Sequence, residues 1–571
     1  MLAVRLDPWL ATVVAIYVWL VGRFWFLCDD SYITFRYARN LARGQGVTYN
    51  VGEEPVEGYS DFLWMLLSAA CHAVGAPSEI VVPAVSAACG LILLLVVHDA
   101  LLRRFGFDRW AALAGAVWIA TAPAYALWST SGLEPMPFAL ALWILFDRWV
   151  LASDDEDPRG TQAALAALAA ALLRTEGVAW VAMFACVAFL ARWLDDPTRN
   201  PRRAGAPILR SLAPFGLVFG VYTAWRMAYF GDWVPNTAHA KVGFGIDRIV
   251  RGMKYVGLYW LTFPTLALAL LGTPWAILAR PGRGVAVALL AVAFPAYGVA
   301  IGGDFMPMGR MLVPGIPMAV VLLATLWQAL RPRFSRDWAA GVLAALFTLL
   351  NVLGGFDIHV VPHAIREALH FRLSDREFMT EYARWANMAD NTDGFALRGR
   401  ALKAWAPNGT RWVTKAIGVA GYHSDLYIYD QYGLVNREVA LLTPPAGRLV
   451  ESPGHDKAVE AAFFVKYDPD LLSARLVQGL RAPGLMKDTL EEWATPPDLM
   501  SRFVPDFEEV ELEGEADRSF LLLVRRAEPW ENAEAMWEAF PERRKHLLAY
   551  LKQWYEQHPE LADRVERDGV E

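Results

Sequence analysis

The residues that could do chemistry fall in five short polar motifs, each at the edge of an apolar stretch: C-D-D-S-Y-I-T-F-R-Y-A-R-N (28–40), S-G-L-E (131–134), R-T-E-G (174–177), P-N-T-A-H-A-K (235–241) and G-G-D-F-M-P-M-G-R (302–310). Asp29 and Asp30 come first because they are adjacent carboxylates at a membrane exit. Asp is a favoured helix cap, but capping accounts for one acid and not for two, so one of the pair suits a general base or an acceptor-hydroxyl ligand. Lys241, Arg310 and Arg174 supply cations suited to a phosphate. Breaking a sugar-to-phosphate bond expels a good leaving group, so such a site needs cations more than it needs a general acid.

Around these lie Tyr32, Arg36, Glu57, Glu134, Glu176, Asn236, His239 and Asp304 as candidate substrate ligands. Each has a plainer reading. Glu57 also reads as a solvated loop acid and Glu134 as a helix cap. Arg174 and Glu176 also read as a mutual pair, His239 as an interfacial side chain, and Asp304 with Arg310 as an ion pair. The Asp pair could hold a divalent cation, although neither ligand count nor geometry is legible.

The elements that must position these groups are membrane helices. Apolar residues of the AVILMFWYC set make up 55% of the 571 residues, above the roughly 45–50% of soluble domains. The net charge of −7 removes the case for a basic nucleic-acid binder. About eleven spans of near-bilayer length are predicted, starting at Trp9–Leu27 and continuing over 79–101, 110–128, 135–152, 161–173, 177–193, 208–230, 256–279, 283–301, 311–330 and 338–355. Phe62 to Gly75 is short and reads as re-entrant or interfacial.

With the N-terminus inside, every Arg-rich short loop (Arg103, Arg104 and Arg109; Arg199, Arg202, Arg203 and Arg210; Arg280 and Arg283; Arg331, Arg333 and Arg336) faces the cytoplasm. The same orientation, chosen without reference to the motifs, gathers all five on the outer side, where unpaired ionisable groups need a wet cavity. It divides the chain into a transmembrane domain, 1–355, and an extracytoplasmic mixed α/β domain, 356–571. In the latter, strands are expected at Trp412–Val419, Leu426–Tyr429, Ala461–Lys466 and Phe520–Val524, and a charged helix over Asn532–Arg567. There is no Walker loop, no G-x-G-x-x-G turn, no H-E-x-x-H and no Cys-based metal site in the sequence.

Taken in order, D-D-S-Y-I-T-F-R-Y-A-R-N-L, G-Q-G-V-T-Y-N, V-E-G-Y-S-D-F-L-W, S-G-L-E, R-T-E-G, P-N-T-A-H-A-K and G-G-D-F-M-P-M-G-R resemble the mycobacterial terminal arabinofuranosyltransferase family. Similar sequences also carry the label flagellar motor control protein. The likeness runs from about residue 28 to 317 and resumes at Y-D-Q-Y-G-L-V-N (429–436) and P-G-H-D-K (453–457). It implies a GT-C-type glycosyltransferase of the cytoplasmic membrane, with a polyprenyl-phosphate sugar donor. It also implies an extracytoplasmic envelope glycan, glycolipid or protein as acceptor, and an acid of the first outer loop at the catalytic centre, which falls on Asp29 and Asp30. Thr175, Ala238, His239 and Asn436 depart from the family pattern; arabinofuranose is the sugar the resemblance puts forward for testing. Two rivals make different predictions. A lipid or glycolipid transporter needs polar groups within broken spans near the midplane, and a non-catalytic envelope scaffold tolerates Asp29→Asn with Asp30→Asn.

Overall fold

The computed structural model describes residues 7–241, 245–334, 337–372, 378–442, 452–478, 503–509 and 518–525. The chain forms two compact units. One takes in the chain up to Tyr49, then Glu54–Asn391 and Ala440–Lys457; the other takes in Asn50–Glu53, Thr392–Val439 and the chain from Ala458 onward. These boundaries do not follow a single division at 355/356. The chain passes between the units more than once.

The first unit is helical. Among the described residues five helices are long and apolar enough to cross a bilayer: Ser78–Arg103, Gly177–Asp195, Pro201–Phe230, Pro281–Ala300 and Pro307–Arg333. A sixth candidate is the pair Ile246–Thr262 and Pro264–Ala279, bent by 94°. This is fewer than the eleven expected, because several predicted spans are shortened or interrupted. The stretch 110–128 stops at Ala120 and restarts at Pro123, and 135–152 passes from Pro135–Phe146 into a π-helical turn, Asp147–Leu151. Pro123 opens the restart and Pro135 opens the next helix, as suits a residue whose fixed φ and missing N–H fit the first helical turn. Pro8–Arg23, Phe62–Ala73, Arg109–Ala120, Thr161–Leu173 and Gly341–Gly355 remain as shorter apolar helices.

Burial separates the interior of this unit from its periphery. The Pro307–Arg333 window is 89% buried in protein and the Pro201–Phe230 window 22%. Glycine allows the close helix contacts: a Cβ on Gly177 would stand 2.0 Å from the Ala170 carbonyl oxygen. Trp180 stacks on Phe294 with ring centres 4.1 Å apart.

The second unit carries a mixed sheet of β1 (Arg411–Thr414), β2 (Tyr427–Asp430), β3 (Leu471–Gln478), β4 (Phe503–Glu509) and β5 (Arg518–Arg525), in the order β2-β1-β3-β5-β4. β1 runs parallel to β2 and β3, while β5 is antiparallel to β3 and β4. Three of the four predicted strands are present as β1, β2 and β5. Ala461–Tyr467 is instead a 3-10 helix, whose apolar run Ala461–Val465 is too short for periodicity to tell strand from helix. The predicted helix Asn532–Arg567 lies outside the described residues. Asp430, buried at the end of β2, accepts the amides of Tyr432 (2.8 Å) and Val435 (3.0 Å), and desolvation pushes its carboxyl up to about 6. Asn436 accepts the Val439 amide at 3.0 Å, so the departure from the family pattern there serves as a helix cap.

Candidate active site

Asp29 and Asp30 open the helix Asp29–Ala42, while the cap position belongs to Cys28, whose side chain makes no capping bond. The capping reading of Asp30 therefore gives way: both acids are half-buried in the first turn, where the helix dipole favours negative charge. S-G-L-E is held against this turn. The Cys28 amide donates to the Ser131 carbonyl at 3.0 Å, and a Cβ on Gly132, at φ 82°, would stand 2.7 Å from Ser31.

The 302–310 loop supplies the opposing cation. Gly302, Gly303, Met308 and Gly309 all have positive φ, and the resulting bends let Arg310 Nε reach Asp304 Oδ2 at 2.9 Å. Both partners are buried, and Arg310 lies 5.7 Å from the centre of the Trp128 ring. Trp128 Nε1 in turn donates to the Pro307 carbonyl at 3.1 Å. Arg372 donates to the Phe305 carbonyl at 2.9 Å and pairs with Glu381, which accepts the Met308 amide at 2.5 Å. The Asp30 charge acts on Arg310, as do those of Arg174 and Glu134.

Arg174 is matched more fully. Its NH1 contacts Glu134 at 2.5 Å and its Nε contacts Glu176 at 2.6 Å. The pairing expected across the R-T-E-G turn is present, and Glu134, at the N-cap position of Pro135–Phe146, spends its side chain on Arg174 and makes no capping bond. Asp61 stands by this group, accepting Thr34 Oγ1 at 2.9 Å; desolvation, reinforced by the Glu134 charge, pushes its carboxyl up to about 8.

Lys241 lies beside a loop from far along the chain. Asp456 is gripped by Arg251 through two contacts of 2.8 Å and by Arg248 at 3.0 Å. Lys457 donates to the carbonyls of His239 (2.7 Å) and Ala440 (2.8 Å), and Arg248 donates to that of Lys241 at 2.8 Å. This sets the His455 ring 4.6 Å from that of Phe305, within the fields of Asp30, Lys241, Asp304 and Asp456. Desolvation pushes the imidazole down to about 4, so it is neutral at pH 7. Among the described residues no carboxylate pairs with the Lys241 ammonium.

The remaining candidates are held by their own partners. Glu57 contacts Arg226 at 2.6 Å, and burial still pushes its carboxyl up to about 7; its carbonyl accepts the Asn236 amide at 3.0 Å. His239 contacts Asp232 at 3.0 Å, in keeping with a side chain that braces its own loop. Arg36 donates to the Tyr49 carbonyl at 2.9 Å and lies 4.1 Å from the centre of that ring, while Tyr32 packs edge-on to Phe35. Among the described residues no three His, Cys, Asp or Glu side chains converge as a metal site. Sequence reasoning overlooked Asp61, Arg226, Arg248, Arg251, Arg372, Glu381, His455 and Asp456. P-G-H-D-K did stand out as a motif, but nothing in it pointed to residues two hundred positions earlier.

These features define a multi-pass helical membrane protein with a polar cluster built from its interhelical loops. Its fold matches that of ArnT from Cupriavidus metallidurans crystallised with undecaprenyl phosphate, at a TM-score of 0.52 and 12% identity over 90% of this chain and 97% of that one. The apo form of the same protein superposes equally, at 0.52 and 13% identity over 92% and 98%. A domain of unknown function, DUF8728, matches residues 381–512. In sequence, the terminal beta-(1->2)-arabinofuranosyltransferase of Mycobacterium tuberculosis is 28% identical over 424 residues, which are 71% of this chain and 62% of that protein. Its Corynebacterium glutamicum counterpart is 28% identical over 341 residues, 52% and 47% of the two chains. The chain thus spans about half to three fifths of the length of these relatives, and it is their distant homologue, with a GT-C-like fold.

Proposed function

We propose that this protein is a GT-C glycosyltransferase of the cytoplasmic membrane that moves one sugar from a polyprenyl-phosphate donor to an envelope glycan, lipid or protein acceptor on the outer side. The reading includes the topology of about eleven crossings, with the N-terminus inside and the 356–571 region outside. What carries it is the placement of Asp30 in the fields of Arg310 and His455, with Lys241 beside them. One carboxylate and two cations whose charges act on the same neighbours are the groups that transfer from a phosphate requires.

In the proposed step Asp30 accepts the proton of the acceptor hydroxyl, whose oxygen bonds to the anomeric carbon. The bond from that carbon to the donor phosphate breaks, and the phosphate oxygen keeps the electron pair. Arg310 commits only Nε to Asp304 among the described residues, so its terminal N–H groups and the Lys241 ammonium can meet the developing charge. Arg174 is less suited to that part, because Glu134 and Glu176 already match its charge; its role here is to fix those carboxylates. Asp29, adjacent in the same turn, assists in binding the acceptor. Tyr32, Arg36, Glu57, Asn236 and His239 shape the surrounding loops.

The ArnT crystal form holds undecaprenyl phosphate and the sequence relatives are arabinofuranosyltransferases, which supports a polyprenyl-phosphate donor and puts arabinofuranose first among the sugars to test. Among the described residues the 94° bend at Phe263 is a break of the kind a transporter would use, but Thr262, Phe263 and Pro264 offer no charge there. Sugar transfer by the purified protein in lipid, with polyprenyl-phosphate donors and an envelope glycan extract, tests the proposal. Transfer that disappears in Asp30→Asn while donor binding persists supports it. Full transfer in Asp29→Asn/Asp30→Asn, or lipid movement without transfer, overturns it.

A further inference from the structure

The opposite end of the helical unit carries a second basic site that the transfer chemistry does not use. Gly177–Asp195 begins beside Arg174 and Glu176 and runs 19 residues, about 28 Å at 1.5 Å per residue. That is close to the roughly 30 Å of a bilayer core. Its far end meets the start of Pro201–Phe230, whose 30 residues lead back to the P-N-T-A-H-A-K loop. Where the two ends meet lies a pocket of about 500 Å³ lined by Asp154, Arg192, Asp196, Arg202, Arg203 and Arg210.

Four guanidinium groups thus face two carboxylates, and both carboxylates are engaged. Asp154 binds Arg192 at 2.5 Å. Asp196 accepts the Thr198 amide at 2.9 Å, the Thr198 hydroxyl at 2.8 Å and the Asn200 amide at 3.1 Å. Among the described residues Arg202, Arg203 and Arg210 close no ion pair, and Arg192 keeps a buried Nε with no partner. Arg202 and Arg203 stand in the first turn of their helix, where backbone N–H groups and the dipole also favour an anion. Trp193, beside the pocket, donates through Nε1 to the Arg199 carbonyl at 3.0 Å, a placement typical of membrane-interface tryptophans. Topogenic charge accounts for arginines on this side, but it requires neither a pocket nor their convergence on one.

We propose that this pocket binds the phosphate of an anionic phospholipid headgroup in the leaflet opposite the candidate active site. The guanidinium forks suit bidentate phosphate binding, and a site at the bilayer edge meets its ligand without extraction.

Native mass spectrometry of the full chain, released from nanodiscs of mixed phosphatidylglycerol and phosphatidylcholine, tests this. Wild type should retain phosphatidylglycerol selectively. Arg202→Ala/Arg203→Ala/Arg210→Ala should weaken that retention roughly 100-fold, on about fivefold per guanidinium near a headgroup. Arg202→Lys/Arg203→Lys/Arg210→Lys keeps the topogenic charge, so it inserts if the alanine variant does not, and it should fall between the two. Equal retention of both lipids by wild type, or unchanged retention in either variant, overturns the proposal. Displacement of the lipid by millimolar inorganic phosphate also overturns it, since the site would then hold free phosphate. Sugar transfer should be unchanged in both variants, so failure here stays separate from failure of the catalytic reading.

Discussion

Arg174 and Arg310 are guanidinium groups of one polar cluster, but they are matched differently. Arg174 meets Glu134 and Glu176, two carboxylates within 2.6 Å, while among the described residues Arg310 meets only Asp304, at 2.9 Å, and feels Asp30 through space. A saturated ion group holds loops together, because removing either side leaves a poorly solvated charge. A group with spare donors can bind an incoming anion. On the proposed function the difference would separate scaffold from machinery within the cluster, and residue type alone does not show it.

The sharpest way to break the comparison is Asp30→Asn. Transfer should fall roughly 10²–10⁴-fold with donor binding retained, and an unchanged rate would remove the carboxylate from the machinery. Next come the arginines themselves. Arg310→Gln should lower kcat about 10²–10³-fold at nearly unchanged melting temperature. Arg174→Gln should act on stability, costing about 3–5 kcal/mol and lowering folded yield. Scanning fluorimetry beside a transfer assay separates the two, and the reverse pattern would invert the assignment.

Lys241→Gln is expected to act more gently, raising KM for the donor about tenfold, on the 1–3 kcal/mol of a charge-assisted contact, with kcat and stability kept. The smallest effects are slopes of stability against pH. Glu57 titrates near 7 in the fold against an ordinary 4.5. The folded state therefore binds the extra proton between these values, and this group's stabilisation is lost as pH rises through them. His455 titrates near 4 against 6.5, so its contribution runs the other way and is lost as pH falls through that window. Glu57→Gln and His455→Gln should each flatten one slope in pH-resolved melting curves.

Much of the site was readable because its parts are local. D-D-S, S-G-L-E and G-G-D-F-M-P-M-G-R each fold as a tight unit. What the sequence did not reveal was pairing over distance, since Glu57 with Arg226 and Asp456 with Arg251 lie 169 and 205 positions apart. Span lengths were harder to read for a different reason: hydropathy measures apolar length, whereas Pro123, Pro135 and Pro264 mark where helices begin. β3 went unrecognised because L-L-S-A-R-L-V-Q alternates imperfectly, while β5, with its continuous apolar centre, was evident.

The grip on Asp456 also sets an order of events during synthesis. Arg251 leaves the ribosome 205 residues ahead of the carboxylate it will bind, a lag of roughly 10–40 s at 5–20 residues per second. Through that interval the nascent helical unit carries Arg248 and Arg251 without their acid, next to the 235–241 loop that ends in Lys241. A chain ended before residue 456 stays at that stage permanently, so a C-terminal truncation reports on assembly of the helical unit as much as on the sheet it removes.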